Sequence, residues 1–166
     1  MARFQPEEIF RRLNEHGVQY VVIGGVAATL HGSPLRTGDA DICPARDPDN
    51  LGRLAAALVA IDARIRTEDV AEGLAFACDE RFLSRVDLLN LTTRFGDLDL
   101  SFVPAGTEGH ADLVRGVVHY DLDGLMVPVA KLDDVIRSKE SADRAKDRAA
   151  LPVLRELLRR VKEPPR

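Results

Sequence analysis

Tryptophan is absent from this sequence, and aromatic residues of all kinds make up only 5% of its 166 residues. The core must therefore be built from leucine, valine, isoleucine and alanine. No apolar run approaches the ~20 residues that a membrane-spanning helix needs, and the first residues have no apolar signal-peptide core. The content of charged residues, 30%, is ordinary for a globular protein, so we expect no membrane association.

Cysteine is also scarce. Cys43 and Cys78 are the two cysteines of the sequence, and neither has a neighbour at metal-ligand spacing. Such sparse, unpatterned cysteines are typical of a reducing compartment. We therefore predict free thiols and a cytoplasmic location.

The length suits one domain, and neither a repeat nor a low-complexity linker divides the chain, so we predict a single domain over residues 1–166. The net charge of −4 is unevenly distributed. Residues 131–166 carry 11 Lys and Arg against 7 Asp and Glu, whereas residues 1–130 have a net charge of −8. A basic end could hold polyphosphate or nucleic acid near the acidic body, although a solvated helix face gives the same pattern.

Apolar patterning predicts alternating helices and strands in the first half and hairpins afterwards. The predicted strands are 20–23, 40–43, 86–92, 98–102, 117–120 and 125–129. Basic helices, 132–162, close the chain. This order predicts an α/β (α+β) fold, with a mixed, largely antiparallel sheet and helices packed mainly on one face.

A glycine pair follows the first predicted strand, in VVIGGVAATLH, and the next predicted helix begins directly after it, at Val26. Glycine lets backbone amides approach an anion closely, and amides at a helix start lie at the positive end of its dipole. Alone, Gly24 and Gly25 are better explained as a tight turn. The acids that follow them favour phosphate binding instead.

Two pairs of carboxylates follow: Asp39 and Asp41 in TGDADI, and Asp97 and Asp99 in GDLDLSF. Alternate residues of a strand face the same side, so each pair points together. Asp39 and Asp41 can converge on one hard cation, since two carboxylates so close would otherwise repel each other. If the two strands are neighbours, a third carboxylate completes a site for two-metal phosphoryl chemistry. Asp99 lies deeper in its strand, and Asp97 stays as the alternative.

The ordered set resembles the nucleotidyltransferase superfamily, whose best-known member is DNA polymerase β. The signature of that family is an apolar residue, Gly, then Gly or Ser, a spacer, and Asp-x-Asp or Asp-x-Glu on a strand. Here it is matched by Ile23-Gly24-Gly25, a spacer of residues 26–38, and Asp39-Ala40-Asp41. The ordered set is far more specific than the glycine pair alone.

The chain is most similar to small bacterial AbiEii-like and minimal nucleotidyltransferases, over roughly residues 8–158. Two further motifs carry this likeness. The first is His31-Gly32-Ser33 with Arg36-Thr37, although His31 alone is equally explained as a helix cap. The second is a late basic motif, formed by Lys139, Arg144, Lys146 and Asp147.

The resemblance implies a divalent-metal-dependent enzyme that uses a nucleoside triphosphate. Asp39, Asp41 and Asp99 are then both the catalytic residues and the ligands of Mg²⁺ or Mn²⁺. The residues expected to bind the nucleotide are Gly24, Gly25, Arg36, Lys139 and Lys146. Without the resemblance, Arg36 is as well explained as a solvated loop charge, and both lysines as helix-surface residues.

Relatives in this family modify transfer RNA or a partner protein, so the resemblance implies a toxin–antitoxin component with tRNA or a cognate toxin or antitoxin as partner. The acceptor stays open between RNA, protein and small molecule. Aminoglycoside nucleotidyltransferases use a similar core, usually with an added helical domain for which this chain has scarcely room. A non-catalytic partner that retains the fold is the competing interpretation, and Gly25, where the family often has serine, gives it mild support.

Overall fold

The structure, a computed structural model, describes residues 2–163 and 165. Met1, Pro164 and Arg166, which belong to the predicted domain 1–166, lie outside the described residues. The helices are α1 (Pro6–Glu15), α2 (Gly24–Leu30), α3 (Pro48–Ala60), α4 (Glu80–Leu83), α5 (His110–Leu113), α6 (Leu132–Ala142) and α7 (Ala145–Lys162). None of the helices within residues 2–163 has the length and apolar character that a membrane crossing requires.

The strands form one mixed sheet. They are β1 (Tyr20–Ile23), β2 (Asp39–Pro44), β3 (Arg64–Ile65), β4 (Leu88–Thr93), β5 (Gly96–Ser101), β6 (Val118–Leu122) and β7 (Leu125–Val129). Their order across the sheet is β3-β4-β5-β2-β1-β7-β6. The pairs β1–β7 and β2–β5 are parallel and the other neighbours antiparallel, which confirms the predicted mixed, largely antiparallel sheet.

The parallel pair β2–β5 lies at the centre of the sheet and sets the position of the acids. Asp39 lies opposite Asp97, and Asp41 opposite Asp99. The residues that alternate with them are completely buried and face the core; they are Ala40, Ile42, Leu98 and Leu100. Period-two alternation thus places four carboxylates side by side on the other face of two adjacent strands.

Helix α2 starts earlier than the sequence predicts. Its first residue is Gly24, directly after β1, instead of Val26, because Gly24 has a φ of +65° that lets the chain pass from strand to helix without a loop. Strand β2 is longer than the predicted 40–43 and includes Asp39 and Pro44. Both glycines therefore belong to the first turn of the helix.

The two C-terminal helices meet at a sharp bend. Asp143 adopts the left-handed conformation, and Arg144 precedes α7. The fully buried Asp147 accepts hydrogen bonds from the backbone N–H of Arg144 at 3.2 Å and from its Nε at 2.7 Å. Helix α6 packs against both α7 and α2, which brings the late basic motif towards the glycine pair.

Candidate active site

One cleft of about 970 Å³ gathers the residues that the sequence singles out. It lies over the carboxylate-bearing face of β2 and β5, and α2, α6 and α7 contribute to its walls. The predicted site residues that line it are Gly24, Gly25, Arg36, Asp39, Asp41, Asp99, Lys139 and Lys146. Residues separated by up to 122 positions in the chain thus share one solvent-accessible space.

Three of the four carboxylates converge. Asp39, Asp41 and Asp99 each offer an oxygen, and these oxygens lie within 4.8 Å of one another. Burial raises the pKa of Asp41 to about 7, and the negative charges of Asp39 and Asp99 add to this effect. Burial and the proximity of Asp39 raise the pKa of Asp99 to about 6. Crowded carboxylates of this kind are stabilised by a cation between them.

An arginine that the sequence did not single out pairs with the second acid strand. Arg66 lies directly after β3 and lines the cleft. Its Nη2 donates to Asp99 Oδ1 at 2.7 Å, and its Nη1 lies 3.3 Å from Asp97 Oδ2. Asp97 is thus held by Arg66 and stands apart from the three converging acids. No motif marks Arg66, because its partners come from strands that begin more than 20 residues later.

The glycine pair packs tightly against the acid strand and the preceding loop. A Cβ atom at Gly24 would lie 2.6 Å from Asp41 Oδ2, and one at Gly25 would lie 2.6 Å from Thr37 Oγ1. The Thr37 hydroxyl, which donates to the Asp39 carbonyl at 3.1 Å, occupies the space that a side chain at position 25 would need. This contact explains why residue 25 is glycine here, and it adds Thr37 to the cleft.

The basic wall of the cleft contains cations of two kinds. The Nζ of Lys139 lies 3.5 Å from Asp147 Oδ1, and the guanidinium of Arg144 also contacts Asp147. Lys146 and Arg36 are exposed, and within residues 2–163 neither has an ion-pair partner at contact distance. The charges of Lys139 and Arg144 are therefore partly offset by the buried Asp147. The charge of Lys146, which lines the cleft, is not offset by an ion pair within residues 2–163.

Most other cations of the C-terminal helices are paired on the protein surface. These ion pairs are Arg148–Asp143, Arg155–Glu140, Arg159–Glu156, Arg159–Glu163, Arg160–Glu156 and Lys162–Asp133. For this outer part of the basic end, the interpretation as a solvated helix face is the better one.

His31 has a structural place. It is the C-terminal cap residue of α2, and its Nε2 lies 2.7 Å from the Ala130 carbonyl. Its Nδ1 lies 2.8 Å from the Tyr120 hydroxyl. An Nε2–H that donates to the carbonyl leaves Nδ1 to accept from tyrosine, so His31 ties α2 to β6 and to the end of β7. Of its two interpretations, the helix cap is the one that fits.

The fold matches solved structures of nucleotidyltransferases. A candidate nucleotidyltransferase from Thermotoga maritima is 17% identical, with a TM-score of 0.57 over 96% of this chain and 97% of its own. The lincosamide antibiotic adenylyltransferase LnuA, solved with lincomycin bound, is 14% identical, with a TM-score of 0.63 over 95% of this chain and 99% of its own.

A third match is the antibiotic-resistance factor ANT(2'')-Ia, solved in complex with adenylyl-2''-tobramycin. It is 16% identical, with a TM-score of 0.57 over 92% of this chain and 87% of its own. No family model matches the chain, and no curated protein matches it. The structural likeness spans nearly the whole chain, so the chain has the same fold as these nucleotidyltransferase structures.

Proposed function

We propose that this protein is a metal-dependent nucleotidyltransferase, which moves a nucleotidyl group from a nucleoside triphosphate to an acceptor hydroxyl. The observation that carries the proposal is the convergence of Asp39, Asp41 and Asp99 to within 4.8 Å, in the cleft that α2 enters with its glycine pair. A non-catalytic partner would have no use for three converging acids, because burial raises the pKa of Asp41 and of Asp99 and so destabilises the metal-free fold at neutral pH.

The donor set fits magnesium or manganese. Hard divalent cations prefer carboxylate oxygens, and Mg²⁺ is commonly held by one or two carboxylates together with substrate phosphates. Asp39, Asp41 and Asp99 would hold the metal. When bound, such ions neutralise charge on the α-phosphate and on the leaving pyrophosphate.

The residues of the chain supply positioning and proton transfer. Asp99, whose pKa is raised to about 6, takes the proton of the acceptor hydroxyl, and the hydroxyl oxygen forms the new bond to the α-phosphorus. The bond between the α-phosphorus and the bridging oxygen breaks, and pyrophosphate leaves with that electron pair. The amides of Gly24 and Gly25, together with Lys146, Lys139 and Arg36, hold the triphosphate, as expected of a reaction driven by positioning and electrostatics.

For the acceptor, we place a small molecule before RNA or protein. One feature of the sequence counts against a small-molecule acceptor. Aminoglycoside nucleotidyltransferases usually carry an added helical domain, for which this chain has scarcely room. LnuA, however, is matched over 99% of its own chain and was solved with lincomycin bound, so a chain of this size accommodates a small acceptor. The AbiEii-like assignment, a tRNA substrate and a toxin–antitoxin role stay predictions from the sequence motifs, as does the cytoplasmic location.

The test is incubation of the protein with each α-labelled nucleoside triphosphate, Mg²⁺, and three separate acceptor pools: total RNA, cytosolic protein, and hydroxyl-bearing small molecules that include lincosamides and aminoglycosides. We expect label in one pool with one preferred nucleotide, and loss of that label with Asp41→Asn or with chelator. Release of labelled pyrophosphate from a γ-labelled substrate checks the bond that breaks. If wild type and Asp41→Asn give equal label in all three pools, the proposed function is wrong.

A further inference from the structure

Arg66 occupies an unusual place beside the acid cluster. Asp97 and Asp99 lie on the same face of β5 as the metal-ligating acids of β2, in register with them. Among the described residues 2–163, Arg66 is the one cation within ion-pair distance of either acid of β5. Four carboxylates therefore share one face, and a single guanidinium contacts the two that lie on β5.

The guanidinium is held from several directions. The backbone N–H of Arg66 donates to the Asn90 carbonyl at 2.9 Å, and its Nη1 donates to the Leu91 carbonyl at 3.2 Å. Its side chain is 30% exposed, and that of Asp99 is 16% exposed. Because the planar fork is anchored on β4, its contacts with Asp97 and Asp99 have a defined geometry, unlike those of a free surface arginine.

This arrangement has two effects on the acids. The contact at 2.7 Å ties one oxygen, Oδ1, of Asp99 and so orients the carboxylate within the cluster. The contact at 3.3 Å gives the Asp97 carboxylate a cationic partner that a bound metal ion would have to displace. Arg66 also adds a positive charge close to the place where a divalent cation would bind, which opposes that binding.

We propose that Arg66 is a positioning residue that restricts the metal site to Asp39, Asp41 and Asp99, holding Asp99 in place and keeping Asp97 out at the expense of metal affinity. The inference rests on the proposed function in so far as the cluster binds a divalent cation. It goes beyond that function by assigning a role to a residue outside the family signature, and by explaining why only one acid of β5 takes part.

The first test is Mn²⁺ binding to the nucleotide-free protein, measured by the electron paramagnetic resonance signal of free Mn²⁺. Arg66→Gln removes a charge next to the cluster and releases Asp97, so Mn²⁺ affinity should rise by about threefold or more. The matched control is Arg64→Gln, in β3, two residues before Arg66. Arg64 Nε donates to the Gly73 carbonyl at 3.1 Å, and its loss changes the net charge equally. This control should leave Mn²⁺ affinity within about twofold.

The added ligand can be identified with a second substitution. Asp97→Asn in the Arg66→Gln background should bring Mn²⁺ affinity back towards that of the wild type, because the released carboxylate contributes to the tighter binding. In the wild-type background, Asp97→Asn should change Mn²⁺ affinity less than it does with Arg66→Gln, because Arg66 already holds Asp97. A non-additive pair of this kind is the expected sign of coupled residues.

The variant Arg66→Lys distinguishes the positioning effect of Arg66 from the effect of its charge, because it keeps the positive charge but loses the planar guanidinium. Its Mn²⁺ affinity should stay near that of the wild type. In nucleotidyl transfer, both Arg66→Lys and Arg66→Gln should lower kcat by about tenfold and leave the KM for the nucleotide nearly unchanged, since the triphosphate is held by α2, α6 and α7. If Arg66→Gln fails to fold, the kcat of Arg66→Lys still tests the positioning role.

The outcomes separate this inference from the proposed function. If Asp41→Asn abolishes Mn²⁺ binding but Arg66→Gln binds Mn²⁺ no more tightly than the wild type, only the role of Arg66 is wrong. If the wild type and Asp41→Asn bind Mn²⁺ equally or not at all, there is no metal site at these acids, and both proposals fall. Tighter binding in Arg66→Gln that Asp97→Asn does not reverse overturns the exclusion of Asp97.

Discussion

At the scale of single residues, the carboxylate of Asp41 links stability to metal binding. Burial and the charges of Asp39 and Asp99 raise its pKa to about 7, and Lys146 and Lys139 offset this only in part. An unfolded aspartate ionises near pH ~4, so the fold is favoured while both states are protonated. This advantage is lost as the pH rises towards the folded pKa, because the folded protein then holds a proton that the unfolded chain has released.

Asp41→Asn should therefore stabilise the metal-free protein, and more so at high pH. In thermal unfolding with chelator, the gain in melting temperature of Asp41→Asn over wild type should grow between about pH 4 and about pH 7 and then level off. With Mg²⁺ and a nucleoside triphosphate present, the order should reverse, since the wild type alone binds the metal strongly. A gain that does not vary with pH would show that Asp41 titrates as an ordinary exposed aspartate.

The lysines of the basic wall should differ from each other. Lys146 is exposed in the cleft, so Lys146→Ala should leave the melting temperature nearly unchanged and weaken triphosphate binding by about 1–3 kcal/mol.

Lys139 contacts the fully buried Asp147. Lys139→Ala should therefore lower the melting temperature as well as weaken triphosphate binding. Calorimetric titration with tri- and monophosphate checks both. If the affinities for the triphosphate and the monophosphate fall equally, the lysines act through a general electrostatic field and not through contacts with the triphosphate tail.

At the scale of elements, the contact between α2 and the loop before β2 decides what residue 25 can be. Gly25→Ala would place its Cβ 2.6 Å from Thr37 Oγ1, so it should destabilise the fold by about 1–3 kcal/mol. Gly38→Ala is the matched control in the same loop, because a Cβ there meets nothing within 4 Å. Denaturant unfolding measures both. Adding Thr37→Gly to Gly25→Ala should recover part of the loss, and no recovery would mean that the strain lies elsewhere.

The short strand β3 shows where prediction from sequence stops at this scale. In the sequence, residues 63–66 have only weak strand character, and the segment after them has no clear pattern. The position of Arg66 depends on the pairing of Arg64 with Thr92 and of Ile65 with Leu91. A two-residue strand has too few residues to show a period, so its partner, and with it the partner of Arg66, cannot be predicted from its own residues.

At the scale of the whole molecule, the cations of the basic end, residues 131–166, fall into two groups: those that line the cleft and those that form ion pairs on the outer surface. The outer cations of α7 form exposed ion pairs, which contribute little to stability. Arg159→Gln should therefore leave triphosphate affinity within about twofold, although it removes the same charge as Lys146→Ala. Calorimetric titration of the two variants side by side compares them. A loss with Arg159→Gln as large as that with Lys146→Ala would show that the basic end acts as one field.

The sequence by itself determined the short-range features of this protein. The spacing of Asp39 and Asp41 places both on one strand face, the glycine pair marks the passage from a strand to a helix, and the apolar alternation of residues 98–102 marks a buried strand. Each follows from neighbouring residues that repeat with the period of a strand or helix. The mixed sheet followed from the order of such elements, and the structural matches confirm that fold.

The tertiary structure decided that Asp99 joins the cluster and Asp97 does not, and it brought the distant Arg66 into contact with both acids. It likewise decided that Thr37 fills the space beside Gly25, and that Asp147 neutralises Lys139 while Lys146 stays unpaired among the described residues. Such contacts join segments far apart in the chain. Their distances depend on how the sheet and helices pack, and no local period encodes that packing.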